Sequence, residues 1–217
     1  MVTSARLRES VLKQLVGDDY AELAMLAEIE AVTSGRLIAA HIGLPPLTPD
    51  DFVGTDIASH RFINAAFVYP RPEGLNRFNG PARGAWYAAL DLETALSEVS
   101  FHLEKELRAT NCGSTSVDYA ELFATIQGQI IDLTVDGVSH PCISEPEPIA
   151  YEQGNALAMT AMHMGYNAIM YPSSRNRGGV CVAALFPKAV ADVTEGDVHR
   201  LTWKEFSLSV HYSCNKG

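Results

Sequence analysis

Residues 77–102 read RFNGPARGAWYAALDLETALSEVSFH, and the rest of the chain is arranged around them. Trp86 to Leu90 carry no charge and fit a short buried strand. Asp91 follows as an N-cap, and Glu93 places a carboxylate in the first turn, where the helix dipole favours it. Leu92, Leu96, Val99, Leu103 and Leu107 recur at helical spacing and define one apolar stripe. At about 100° per residue, Glu98 falls roughly 120° from the centre of that stripe, on the edge shared with Asp91 and His102. A carboxylate at that angle looks along the sheet into a cleft. Arg77 precedes Asn79-Gly80-Pro81, so its guanidinium sits on a tight turn. Alternation sends the rings of Trp86 and Tyr87 to opposite faces of the strand, one to the core and one to the cleft.

Bulk properties narrow the function classes. With 217 residues, 47% of them hydrophobic, the chain can bury a sizeable core as one domain plus an appendage. A net charge of −10 argues against direct nucleic-acid binding, which needs a basic stripe along the phosphates. The four cysteines, Cys112, Cys142, Cys181 and Cys214, form no CxxC pair and have no histidine at ligand spacing. Reduced thiols and no bound metal are therefore expected. The first ten residues lack an apolar signal core, and no run reaches membrane-spanning length, which predicts a cytoplasmic protein without a membrane partner.

Along the chain, residues 5–40 read as helical, with leucine stripes and a composition rich in Ala, Leu and Glu. Prolines and glycines between 41 and 59 mark a linker or a long surface loop. Residues 60–69, HRFINAAFVY, read as the first strand of the main domain, with Arg61 near its start. After the central helix come strands over 117–126 and 128–133, a loop over 139–151, a helix over 152–164 and a strand over 167–171. The turn PSSRNRGG, an apolar strand over 180–186 and a hairpin over 198–203 and 206–212 complete the series. The fold class is α+β: a mixed, mainly antiparallel sheet with a cleft, preceded by a helical N-terminal extension. The expected division is 1–57 and 58–217.

Four pieces, taken in order, carry a family resemblance. Asn76-Arg77-Phe78-Asn79 matches a Gly-Arg-Trp-Asn segment, with Phe78 for tryptophan, and the glycine-rich lead-in is reduced to Pro72-Glu73-Gly74. Tyr87 matches a following tyrosine, Ala95-Leu96-Ser97-Glu98 an Ala-Leu-x-Glu helix, and Pro172-Ser173 a Pro-Ser turn. Over approximately residues 58–212 the chain thus resembles the RES-domain family, toxins of Xre–RES toxin–antitoxin modules with an ADP-ribosyltransferase-like fold and a cleft for NAD+. The resemblance implies Glu98, Tyr87 and Arg77 as catalytic residues, and Arg61, Arg77, Tyr87 and Ser173 as NAD+-binding residues. It also implies a cognate Xre-family antitoxin and a hetero-oligomer formed with it.

The residue types suit that chemistry. Cleaving the nicotinamide–ribose bond of NAD+ leaves an oxocarbenium-like sugar, which wants a carboxylate beside it. The pyrophosphate wants a cationic fork, and the departing ring wants a π-surface. Each residue also has a plain reading. Glu98 alone would be a solvated helix glutamate paired with His102, Arg77 a surface arginine in a turn, and Tyr87 a core aromatic. The 172–179 turn is either a polar hairpin loop or a pyrophosphate cradle; it is no P-loop, and Ser173 is favoured over Ser174 because it directly follows the proline. No GxSxG elbow, HExxH helix or GxGxxG turn is present. Three functions follow: a toxin that consumes NAD+ as a glycohydrolase or phosphorylase, a mono-ADP-ribosyltransferase that modifies a protein, or a non-catalytic interaction module.

Overall fold

The computed structural model describes residues 1–3, 35–57, 59–70, 74–204 and 207–213. The helical reading of 5–34 lies outside these residues. Two four-stranded sheets carry the architecture, where the sequence suggested one. The first has the order β1 (Val2–Thr3), β3 (Ser114–Ile126), β7 (Val190–Lys204) and β8 (Ser207–Ser213), all antiparallel. The second has the order β2 (Trp86–Ala89), β6 (Val180–Ala184), β5 (Ala168–Pro172) and β4 (Ile130–Asp132), with β4 and β5 parallel. The class is mixed α+β.

Among the described residues, five α-helices connect and cover the sheets: α1 (Gly35–Ile42), α2 (His60–Val68), α3 (Leu92–Ala109), α4 (Pro141–Ser144) and α5 (Glu147–His163). Residues 60–68 of the expected first strand (60–69) are instead a helix, with Tyr69 as its C-cap. Their Ile, Phe and Val content drew the strand reading, but Ile63 and Phe67 are the buried pair, at helical i, i+4 spacing. Asn64 sits buried beside them, its amide closed against both the N–H and the carbonyl of Val53. Tertiary packing thus overrides β-propensity. The 139–151 stretch, expected as loop, holds α4 and the start of α5. Pro141 and Pro148 occupy first-turn positions, where a missing N–H costs nothing. The C-terminal hairpin begins earlier than expected, because β3 and β7 pair from Ser114↔Lys204 to Ile126↔Val190.

The central helix α3 joins the two sheets. Asp91 caps it by accepting from Thr94 N at 2.7 Å. Its leucine stripe packs onto the first sheet, where Leu96, Leu103 and Leu201 form a core flanked by Val99, Leu107, Val117 and Val210. Leu92, read as part of the stripe, stays at the surface. A larger core, with Phe67, Phe78, Ile169 and Leu185 fully buried, lies between the second sheet and the remaining helices. Ala39, Leu47 and Phe52 from the 35–57 segment contribute to it. The flank of α3 between these two cores is left for function. Among the described residues, no helix is long and apolar enough to cross a membrane.

Candidate active site

A cleft of about 420 Å³ opens beside α3, and Arg77, Tyr87 and Glu98 line it together. The strand, the helix and the loop before them therefore converge as the amphipathic angle of Glu98 predicts. Asn76, Tyr151, Tyr171, Arg175 and Cys181 complete much of the wall.

Glu98 is anchored from the 172–179 turn. Ser173 Oγ donates to Glu98 Oε1 at 2.6 Å, and Cys181 Sγ approaches the same oxygen at 3.8 Å. The Ser173 oxygen accepts the backbone N–H groups of Arg175 and Asn176, at 3.1 and 3.0 Å. With its acceptor sites filled, the hydroxyl has its proton aimed at the carboxylate. Among the described residues, no hydrogen bond reaches Glu98 Oε2, and the side chain lines the cleft. Burial pushes the Cys181 thiol up to about 12, so it stays protonated and adds no second charge beside Glu98.

Arg77 is held just as firmly. One of its terminal nitrogens donates to the Cys142 carbonyl, and the other to Ser174 Oγ at 2.9 Å. Its guanidinium carbon lies 5.5 Å from the Tyr151 ring centroid and 5.7 Å from that of Tyr171. Two bonds leave part of the five-donor fork for a ligand. Gly154 on α5 lets the Arg77 backbone come close, since a β-carbon there would sit 2.0 Å from the Arg77 carbonyl oxygen. Asn155 Nδ2 donates to the Asn76 carbonyl at 2.8 Å and fixes the same loop.

Tyr87 presents its ring to the cleft while its hydroxyl works elsewhere. The hydroxyl accepts from Phe78 N at 3.0 Å and donates to Asn79 Oδ1 at 2.9 Å. Burial raises its pKa, and the phenol stays neutral. Phe78 packs edge-on against Tyr171 with centroids 4.9 Å apart, fully buried. Arg83 braces this loop from below. It is buried with no carboxylate partner among the described residues, donates to the Gly84 carbonyl, and has a pKa lowered by desolvation.

The remaining expected residues fall as follows. Ser173 sits behind Glu98, while Ser174 bonds Arg77, so the two serines are divided between the two charged groups. The turn amides of residues 175 and 176 are spent on Ser173 Oγ. Arg61 lies on α2 with its guanidinium 4.6 Å from the Phe62 centroid and does not line the cleft. Tyr151, Tyr171, Cys142 and Cys181 were not singled out as site residues from the sequence: Tyr171 directly precedes the Pro172-Ser173 turn, but its place beside Arg77, like that of Tyr151, depends on contacts between distant segments. Arg175, at the rim, pairs with Glu147 and covers the Phe101 ring at 3.4 Å, and Lys105 approaches Glu147 at 3.3 Å. Among the described residues, no cluster of His, Cys, Asp and Glu is arranged to hold a metal ion.

A family model described as the RES domain matches residues 55–204, well over half of the chain. No curated protein matches it.

Proposed function

The chain belongs to the RES-domain family, one associated with NAD-related toxin function, and from that membership we propose that it cleaves the nicotinamide–ribose bond of NAD+. The observation that carries the reading is the pair of adjacent serines. Ser173 holds Glu98 and Ser174 holds Arg77, so the Glu98 carboxylate and the Arg77 fork face one cleft, each held from the same turn. Pre-fixed charge of that kind favours a transition state over a ground state.

In this reading Arg77 binds the pyrophosphate, with Arg175 at the rim. The Glu98 carboxylate lies beside the ribose, where positive charge grows as the C1′–N bond lengthens. The bonding pair leaves with nicotinamide, which departs neutral. Water, phosphate or a side chain of another protein then closes on C1′, giving hydrolysis, phosphorolysis or ADP-ribosyl transfer. The Tyr87 ring supplies a flat apolar wall for the nicotinamide, and its neutral hydroxyl keeps the Arg77 loop in place. The two-sheet α+β architecture accords with an ADP-ribosyltransferase-like fold. The same proposal includes an Xre-family antitoxin that covers the cleft as a hetero-oligomer, for which co-purification of free enzyme alone is the opposing result.

Incubation with NAD+, with and without phosphate, followed by product analysis, tests the reading. Free nicotinamide is expected, and the partner product identifies the nucleophile. Cofactor recovered intact under both conditions, from protein freed of any antitoxin, rejects it.

A further inference from the structure

Asn176 sits half-buried in the 172–179 turn and donates in two directions. Its side-chain Nδ2 gives a hydrogen bond to Thr94 Oγ1 on α3 at 2.8 Å. Thr94 Oγ1 passes its own proton to Asp91 Oδ2 at 2.8 Å, while Thr94 N donates to Asp91 Oδ1 at 2.7 Å. The backbone N–H of Asn176 goes the other way, to Ser173 Oγ at 3.0 Å, and that hydroxyl donates to Glu98 Oε1. One asparagine thus heads two chains of donors, each ending on a carboxylate. Thr94 is fully buried, and Gly179 makes the close approach possible, since a β-carbon there would lie 2.2 Å from Thr94 Oγ1. Gly179 also closes the turn, donating to the Asn176 carbonyl at 3.0 Å and accepting from Ser173 N at 2.8 Å.

We infer that Asn176 is a positioning residue for the Glu98 carboxylate. That this carboxylate serves bond cleavage rests on the reading proposed above. Thr94 and Glu98 are one helical turn apart on α3, so their β-carbons lie on one side of the helix, about 5–6 Å from each other. The turn therefore grips α3 at two successive points, Thr94 through Asn176 and Glu98 through Ser173. A single hydrogen bond from Ser173 would fix a distance and leave the turn free to pivot about it. The second attachment removes that freedom and gives the carboxylate one direction. The residue type follows from the donors required. The Thr94 hydroxyl proton is committed to Asp91, so whatever meets Thr94 Oγ1 from the turn must be a donor. An amide supplies one. A carboxylate in its place would set acceptor against acceptor and bring a second negative charge towards Asp91.

Two measurements on the full chain test the assignment. In steady-state kinetics with NAD+, Asn176→Ala is expected to lower kcat about tenfold with KM within about twofold, and Asn176→Asp to fall at least as far. Because Asn176 acts through Ser173, the Ser173→Ala/Asn176→Ala double variant should be no slower than Ser173→Ala alone. From the helix side, Thr94→Val should lose kcat and Thr94→Ser, which keeps the hydroxyl, should retain most of it. Thermal melts check folding, and Asn176→Ser, too short to reach Thr94, stands in if Asn176→Ala does not fold. The second measurement needs no turnover. The carboxyl 13C resonance of Glu98, assigned by its loss in Glu98→Gln, should move in the same direction in Asn176→Ala as in Ser173→Ala and stay in place in Thr94→Ser. An unaltered kcat in Asn176→Ala, losses that multiply in the double variant, or a resonance that ignores Asn176 each overturns the inference. A resonance that moves in a protein unable to cleave NAD+ keeps the positioning role and rejects the reaction; cleavage with kcat and resonance indifferent to Asn176 does the reverse.

Discussion

Ser173 and Glu98 are joined by a 2.6 Å hydrogen bond across 75 positions of sequence, and the serine oxygen is itself fixed by two backbone amides. The carboxylate is thus oriented by a turn belonging to a different sheet strand from the one that precedes its helix. A catalytic group held this way loses rate when it is released, more than it loses substrate affinity.

Ser173→Ala is accordingly expected to lower kcat about tenfold to a hundredfold, with KM little changed. Glu98→Gln should fall further, by about a hundredfold or more, while NAD+ still binds. Steady-state kinetics with both variants decides this. A Ser173→Ala enzyme with full turnover shows that the bond does not position Glu98.

In the proposed reading Arg77 binds the pyrophosphate, a group present in ground and transition states alike, so its loss is expected first in binding. Arg77→Ala is expected to weaken NAD+ binding by about 2–5 kcal/mol. Arg77→Lys should recover little, because an ammonium cannot bond Cys142 and Ser174 as a planar fork while lying between two tyrosine rings. Equilibrium titration measures both.

Gly154→Ala reverses a familiar sign. In a helix interior alanine is ordinarily favoured over glycine by up to about 1 kcal/mol. Here the new methyl would meet the Arg77 carbonyl at 2.0 Å, and α5 must move off the loop. A lower Tm together with weaker NAD+ binding is expected. A stabilised protein with unaltered binding contradicts the packing described.

Stability and catalysis should separate along α3. Leu96→Ala removes a buried side chain between helix and sheet and is expected to cost about 2–5 kcal/mol in denaturant unfolding. Glu98→Gln, one turn-edge away, should leave the melting curve nearly in place. If Glu98→Gln melts the protein instead, the glutamate is structural.

Asp91 gives α3 a pH dependence of known sign. Hydrogen bonds from the Thr94 backbone and hydroxyl hold its carboxyl below the ordinary value of 3.8. A depressed carboxyl stabilises the fold in full above 3.8, and that contribution is lost as pH falls through the lower folded value. The Tm gap between wild type and Asp91→Ala should hold steady from neutral pH to about 5 and narrow in acid, as read by thermal melts.

The site was most legible where local rules suffice. The Asp91 cap, the leucine stripe and the angle of Glu98 follow from local pattern, and alternation along 86–90 sent the two rings to opposite faces without saying which; the structure buries Trp86 and puts Tyr87 at the cleft. Residues 60–69 were misread because Ile, Phe and Val suit a strand, whereas the deciding fact, Asn64 closing on Val53, is a contact between segments. The partition of Ser173 and Ser174 between Glu98 and Arg77 was equally hidden, since both bonds span long stretches of chain. Tyr151 and Tyr171 gave no signal, because flanking an arginine requires two elements to meet around it.

The pairing of β2 with β6 also sets an order of assembly during synthesis. Trp86–Ala89 finds its strand partner only at Cys181–Ala184, and Glu98 finds its serine only at 173. A ribosome-bound chain that has delivered its arginine, tyrosine and glutamate still lacks the turn that orients them. The cleft is therefore completed late in translation, after most of the polypeptide has been made. Prematurely ended products that stop before this point retain three of the four motif residues but lack the strand and the turn that complete the pocket.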